Sequence, residues 1–198
     1  AKSRKKLEQV EIRSLKNGGE EEVYVPLEDP LLARLIKAVP SFATTHPSWI
    51  PSVACGVLHH LMKQRPNLGL VFADFDWLPA PDLELESGDR RVSSSWAEGE
   101  PIVSDMDGND HECYLRAPSH CDILFPTDFE KLASFVKRTS RNDRLVQIEK
   151  QADFLQHHGS KHVNATKSWL TGHTPLLHDF ANCSVLTVAP ASSSNPKQ

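Results

Sequence analysis

Asp74 and Asp76, followed at once by Trp77, are the residues whose types and spacing point most directly to chemistry. They close the apolar run Leu68-Gly69-Leu70-Val71-Phe72-Ala73, which has no 3.6-residue stripe and gives way to Pro79. Such a run reads as a buried strand, expected to lie parallel to its neighbours, with both acids at its carboxyl end. In open α/β sheets ligands bind outside the carboxyl ends of strands, so this edge is a candidate active-site rim. Two carboxylates there could orient and balance a cation, and the indole could stack on it. The competing reading is structural: the acids cap loop backbone and Trp77 plugs the core.

Other constellations lead nowhere. Asp105-Met106-Asp107-Gly108-Asn109-Asp110 has the look of a calcium loop, but Asp110 stands where an EF-hand needs glycine, and no bidentate Glu closes the loop. His111, Cys113, His120 and Cys121 have a spacing that fits no zinc finger or ribbon, so no metal is expected. His59-His60 and His157-His158 are adjacent pairs that diverge around a helix. Asn164-Ala165-Thr166 is a formal glycosylation sequon placed in a predicted helix. Neither a GxSxG elbow nor a phosphate-binding P-loop occurs.

The elements that must position the acids follow from local signals. Asn17-Gly18-Gly19 separates the strand-like runs Val10–Arg13 and Glu22–Val25 and predicts a β-hairpin. Asp29 as N-cap with Pro30 at the first helical position predicts a helix that stops before Pro40. Pro51-Ser52 opens a second helix, with Val53, Val57, Leu58, Leu61 and Met62 at helical spacing, which Pro66 ends ahead of the central strand. A helix returning into a buried strand is half of a βαβ unit. Thr127-Asp128-Phe129-Glu130 reads as a capping box with Thr127 as N-cap of a third helix. Arg144–Ile148 is a strand, Asp153–His158 a helix ended by Gly159, and Lys161–Leu170 a further helix. A last strand covers Asn182–Val188.

The whole is expected to be one domain over residues 1–198. Within it, residues 1–28 form a hairpin lead-in, 80–110 a flexible insertion and 189–198 a disordered, low-complexity tail. The insertion holds nine acids against two arginines, a balance of −7 in a chain whose net charge is −4. An acidic flap could draw a cationic substrate towards a site, or could simply be a solvated loop. The acidic balance argues against nucleic acid as a partner. No apolar run reaches membrane-span length. Four cysteines without a CxxC pair suit a reducing compartment. The chain opens on Ala1 rather than Met, so it is expected to be processed or a piece of something longer.

Several runs, read together, resemble the carboxyl-terminal half of the MidA-type methyltransferases, which include the mitochondrial protein arginine methyltransferase that assists complex I assembly. They are Glu22-Val23-Tyr24-Val25, Ile50-Pro51-Ser52-Val53-Ala54-Cys55-Gly56-Val57 and Leu70-Val71-Phe72-Ala73-Asp74-Phe75. After the insertion come Ala117-Pro118-Ser119-His120-Cys121-Asp122-Ile123 with Asp128-Phe129, and Gln151-Ala152-Asp153-Phe154-Leu155 before Gly159. The chain departs from the pattern where Asp76-Trp77 replaces a glycine, where Lys150 replaces the Thr before Gln151, and where no Thr follows Asp122-Ile123. These details resemble a divergent, fungal-type branch.

The resemblance implies the later strands of a Rossmann-like α/β methyltransferase sheet, with the hairpin and acidic insertion on the substrate side. It implies S-adenosylmethionine as cofactor of a full-length parent, a protein arginine as acceptor, a respiratory complex I subunit as partner, and a mitochondrial location. By the same likeness, Asp74 and Asp76 would be catalytic rim acids, and Trp77, Asp122 and Gln151 would bind substrate. The glycine-rich turn and ribose-binding acid that hold such a cofactor are missing, so cofactor-binding residues are not assignable and the isolated chain is expected to be inactive. The exposed sheet edge of a half-fold would pair with the missing half or with another chain. From a different class, the chain could be a non-catalytic binding or assembly module that engages a protein partner through its acidic insertion.

Overall fold

The computed structural model describes residues 7–16, 20–44, 48–79, 82–84, 90–92, 101–111, 114, 117–140 and 144–190. In order, the chain forms β1 (Glu8–Ser14), β2 (Glu20–Pro26), α1 (Pro30–Ala38), α2 (Ser52–Gln64) and β3 (Leu70–Phe75). Then come β4 (Asp82–Glu84), β5 (Arg90–Val92), β6 (Ile102–Ser104), β7 (Asp110–His111) and β8 (Asp122–Leu124). The last elements are α3 (Phe129–Thr139), β9 (Arg144–Lys150), α4 (Gln151–Ala165), α5 (Pro175–His178) and β10 (Cys183–Pro190). The fold is mixed α/β. It divides into two compact units, Ala1–Ser52 with Pro79–Phe125, and Val53–Leu78 with Pro126–Gln198.

In the first unit β1 and β2 pair antiparallel with Val10 opposite Tyr24, the predicted hairpin, whose Asn17-Gly18-Gly19 turn lies outside the described residues. Gln9 Oε1 accepts from the Glu28 and Asp29 backbone N–H groups, tying the hairpin to α1. Asp29 caps α1 as expected, its Oδ1 accepting from the Leu31 and Leu32 N–H groups. Leu35, Val39 and Phe42 are buried behind it. β6 lies between β7 and β8, both antiparallel to it, and buries Ile102 and Val103. β4 to β7 fall within the stretch read as the acidic insertion, of which residues 80, 81, 85–89 and 93–100 lie outside the described residues.

The second unit carries the acids. Its sheet has the order β3-β10-β9, with β10 antiparallel to both neighbours, so β3 and β9 point the same way with a reversed strand between them. The expected parallel pairing of β3 is therefore corrected: its described partner is antiparallel. Nor is β3 buried on both faces. Leu70 and Phe72 are sheltered, while Val71 is 66% exposed on an edge strand. An apolar run reports affinity for a sheet and says nothing of the direction of a neighbour more than a hundred residues away.

β10 is the core strand and buries Val185, Leu186 and Val188; α3, which it touches in the same unit, buries Phe129, Leu132, Phe135 and Val136. Each such side chain taken from water contributes about 1.5–3 kcal/mol. α2 buries Cys55, Leu58 and Met62 but leaves Val53 and Val57 exposed, so its predicted apolar stripe is only partly used. The α3 cap also differs: Asp128, not Thr127, is the N-cap and accepts from the Lys131 N–H. Gly159 is non-helical, at φ −141° and ψ 18°, and breaks α4 where the first helix is expected to end; the second half stops at Ala165 rather than continuing to Leu170.

Candidate functional site

Three polar residues stand side by side where the β3 and β9 strands end and β10 begins. Register pairs Asp74 with Ser184 and Ser184 with Lys150, so β3, β10 and β9 each deliver one of them to a single row. Asp76 follows two residues beyond Asp74, anchored by its N–H donating to the Asn182 carbonyl at 2.8 Å.

Asp74 is fully engaged by its own unit. Its Oδ1 accepts from the Phe75 N–H at 2.8 Å and its Oδ2 from the Thr127 hydroxyl at 2.7 Å. Thr127 N–H in turn donates to the Phe75 carbonyl at 2.8 Å. Together they latch the end of β3 to the start of α3, which explains why Thr127 is not free to cap the helix.

Asp76 is arranged otherwise. Its Oδ2 takes the Lys150 ammonium and, at 2.5 Å, the Ser184 hydroxyl. Its Oδ1 is buried with no hydrogen-bond partner among the described residues. A buried carboxylate oxygen without a donor is costly, and in native proteins it calls for an explanation. One oxygen is pinned by a cation and a hydroxyl; the other is closed off from solvent with its acceptor capacity unfilled by any described residue. Cys183, beside this cluster, is driven towards the neutral thiol by burial first and then by the Asp76 and Asp74 charges, which disfavours it as a nucleophile.

The other predicted residues are distributed differently. Trp77 is about half exposed, 52%, and its carbonyl accepts from the Asn182 side chain at 3.1 Å. Gln151 opens α4 and donates to the Leu176 carbonyl at 3.4 Å, bracing α4 against α5. Asp122 belongs to the first unit, where it pairs with Ser104 on β6. The structure thus brings Asp74 and Asp76 together with Trp77 on one strand end. It adds Lys150 and Ser184, which sequence reasoning did not place in the site. The available signal was that three apolar strands each meet a polar residue at one edge.

A recess elsewhere in this unit is lined by His59, Met62, Lys63, Ser140 and Arg144. The Arg144 guanidinium is occupied there, donating to the Leu68 and Pro66 carbonyls at 2.7 and 2.5 Å. No group of three or more metal-ligating side chains is assembled among the described residues, and no helix among them is long and apolar enough to cross a membrane. The positive-φ glycines among the described residues, Gly108 and Gly172, sit in the β6–β7 reversal and in the turn before α5. Neither opens a helix behind a strand, so these residues do not by themselves fit the phosphate- or nucleoside-cradling turn of a nucleotide-type cofactor.

A COG1565 superfamily member and candidate methyl transferase from Burkholderia thailandensis, bound to S-adenosyl-homocysteine, superposes with a TM-score of 0.60 at 13% identity, over 96% of this chain and 49% of that one. The fold is methyltransferase-like. An uncharacterized COG1565 superfamily protein from the same organism matches with the same score and identity, over 92% of this chain and 48% of that one. The chain therefore spans about half the length of either structure. No protein-family model and no curated protein matches the sequence.

Proposed function

We propose that this chain is the carboxyl-terminal half of an S-adenosylmethionine-dependent methyltransferase that acts on a protein arginine. The observation that carries the reading is the fold: almost the whole chain superposes on half of a structure that holds S-adenosyl-homocysteine. Two features of the second unit support it. β3 is an edge strand whose outer side has no partner among the described residues, as expected of a sheet continued by further strands. The Asp76 Oδ1 atom at the strand end is an unfilled acceptor that a guanidinium N–H would satisfy once the rim opens to admit it, with Ser184 and Lys150 fixing the other oxygen. Asp74 would hold the rim in place, and Trp77 would offer its exposed ring to the cation. The donor is held by polypeptide outside this chain, so its residues orient the acceptor and do not contact the sulfonium. The MidA-type resemblance extends the proposal to a mitochondrial location and a respiratory complex I subunit as acceptor.

A second reading is favoured by one observation. Lys150 already neutralises Asp76, so the rim acid is paired with the chain's own cation. A non-catalytic assembly module, engaging a protein through its acidic insertion, needs no free rim acid and no cofactor cradle. Titration calorimetry separates the two. The 198 residues alone are expected to give no heat with S-adenosylmethionine, and the chain extended upstream to the length of its structural neighbours is expected to bind it saturably. An extended polypeptide that stays silent would leave only the module.

A further inference from the structure

Trp169 and Leu170 lie between α4 and α5, 93% and 76% exposed. They are not on a loose loop. Ser168 N–H donates to the His173 carbonyl at 2.8 Å and Gly172 N–H to the Ser168 carbonyl at 2.9 Å. Thr171 N–H donates to the Ser168 hydroxyl oxygen at 3.3 Å, and His173 N–H to the Thr171 hydroxyl oxygen at 3.2 Å. Gly172 holds φ +73°, a conformation that glycine adopts without strain. The turn is closed at its base and displays an indole and an isobutyl group to solvent, the reverse of what hydrophobic burial favours.

The charge around it is mainly positive, and one acid reaches the turn: the Asp179 carboxylate stands 3.1 Å from His173 Nε2. Residues 154–178 contain no Asp or Glu, although the chain has 26 acids, and they carry Lys161, Lys167 and five histidines. Lys161 and Lys167 are exposed. The Lys167 Cε atom lies 3.5 Å from where a Cβ on Gly172 would stand, which sets its stem against the base of the turn. An indole has an apolar body and a polar N–H, which suits the boundary between headgroups and acyl chains. Lysines beside such an anchor are attracted to anionic headgroups. Two exposed lysines against one acid, itself paired with His173, leave a net positive surround, which matches a uniformly negative surface better than the mixed rim of a protein groove.

We propose that the Ser168–His173 turn is a membrane-docking element, seating Trp169 and Leu170 in the interface of an anionic lipid bilayer while Lys161 and Lys167 meet its headgroups. The inference is independent of methyl transfer. It is tested by sedimenting the 198-residue chain with vesicles of phosphatidylcholine and phosphatidylglycerol in equal parts, and with phosphatidylcholine alone. The chain is expected to pellet with the first and to stay in solution with the second. W169S/L170S is expected to weaken binding about ten-fold or more. K161E/K167E should weaken it about five-fold per lysine. All four positions are exposed, so both variants should keep the wild-type urea midpoint. No sedimentation with the anionic vesicles, or W169S/L170S pelleting as the wild type does, overturns the proposal.

Discussion

Asp105 at the β6–β7 turn and Asp76 at the end of β3 both close a strand, yet their oxygens end in opposite states. Asp105 Oδ1 accepts from the Asp107 and Asn109 N–H groups at 3.0 and 2.9 Å, and the Asn109 amide reaches both its oxygens. His111 Nε2 stands 3.3 Å from Oδ2. Asp76 has one oxygen filled and one without a partner among the described residues. The difference lies in the donors that the local backbone brings within reach. Where a turn folds back on its own acid the carboxylate becomes part of the scaffold; where strands from distant sequence converge, one oxygen can be left over for a ligand. Asp74, two residues from Asp76, falls on the Asp105 side of this division.

The largest effect that would test the division is at Asp74. D74A leaves the Phe75 N–H and the Thr127 hydroxyl without their acceptor and should cost about 2 kcal/mol in urea denaturation. D74N, which keeps one carbonyl oxygen, should cost less. A wild-type midpoint for D74A would return Asp74 to the list of free rim acids.

A smaller effect is expected at the Asp76 pair. Lys150 is about half exposed, 47%, so K150M should cost only about 1 kcal/mol. K150M/D76N should recover part of that loss, because the stranded charge is gone. The same variants sharpen the functional side. An arginine-containing peptide, followed by calorimetry, should bind K150M more tightly than the wild type and D76N least. Equal affinities across the three would remove Asp76 from the rim.

What the sequence disclosed, and what it concealed, follows the range of the interactions. Asp29-Pro30 determines its helix start within three residues, and the prediction and the structure agree there. The Thr127 capping box failed by one position because Thr127 is claimed by Asp74, 53 residues earlier, a competitor that no local pattern contains. The strand Leu70–Phe75 was legible, but its antiparallel partner was not, since register with Cys183–Val188 is fixed by packing across the chain. Lys150 appeared only as a departure from a family run, and Ser184 only as a member of the last strand. Both became site residues when β10 set them beside Asp74 and Asp76. The apolar stripe of α2 shows the converse: Val53 and Val57 fit helical spacing yet stay exposed, because periodicity marks a face without supplying something to cover it.

The smallest effect, and the cleanest control, is at Asp105. The Asn109 backbone and side-chain N–H groups, with lesser help from His111 and Asp107, hold its carboxyl down to about 2, below the ordinary value near 4. A folded value below the unfolded one means that the turn's contribution is fully present above the unfolded value and drains away as pH falls through about 2. D105N removes the charge and half the acceptor capacity at every pH. Amide exchange at Asp107 and Asn109 should then quicken at neutral pH, while Leu186 in the core of β10 exchanges as before. The backbone offers its own bonds here, Asp105 N–H to the Asn109 carbonyl at 3.0 Å and Gly108 N–H to the Asp105 carbonyl at 3.1 Å. Unchanged exchange in D105N would mean that those two bonds suffice and that Asp105, for all its donors, is no more committed to the fold than Asp76.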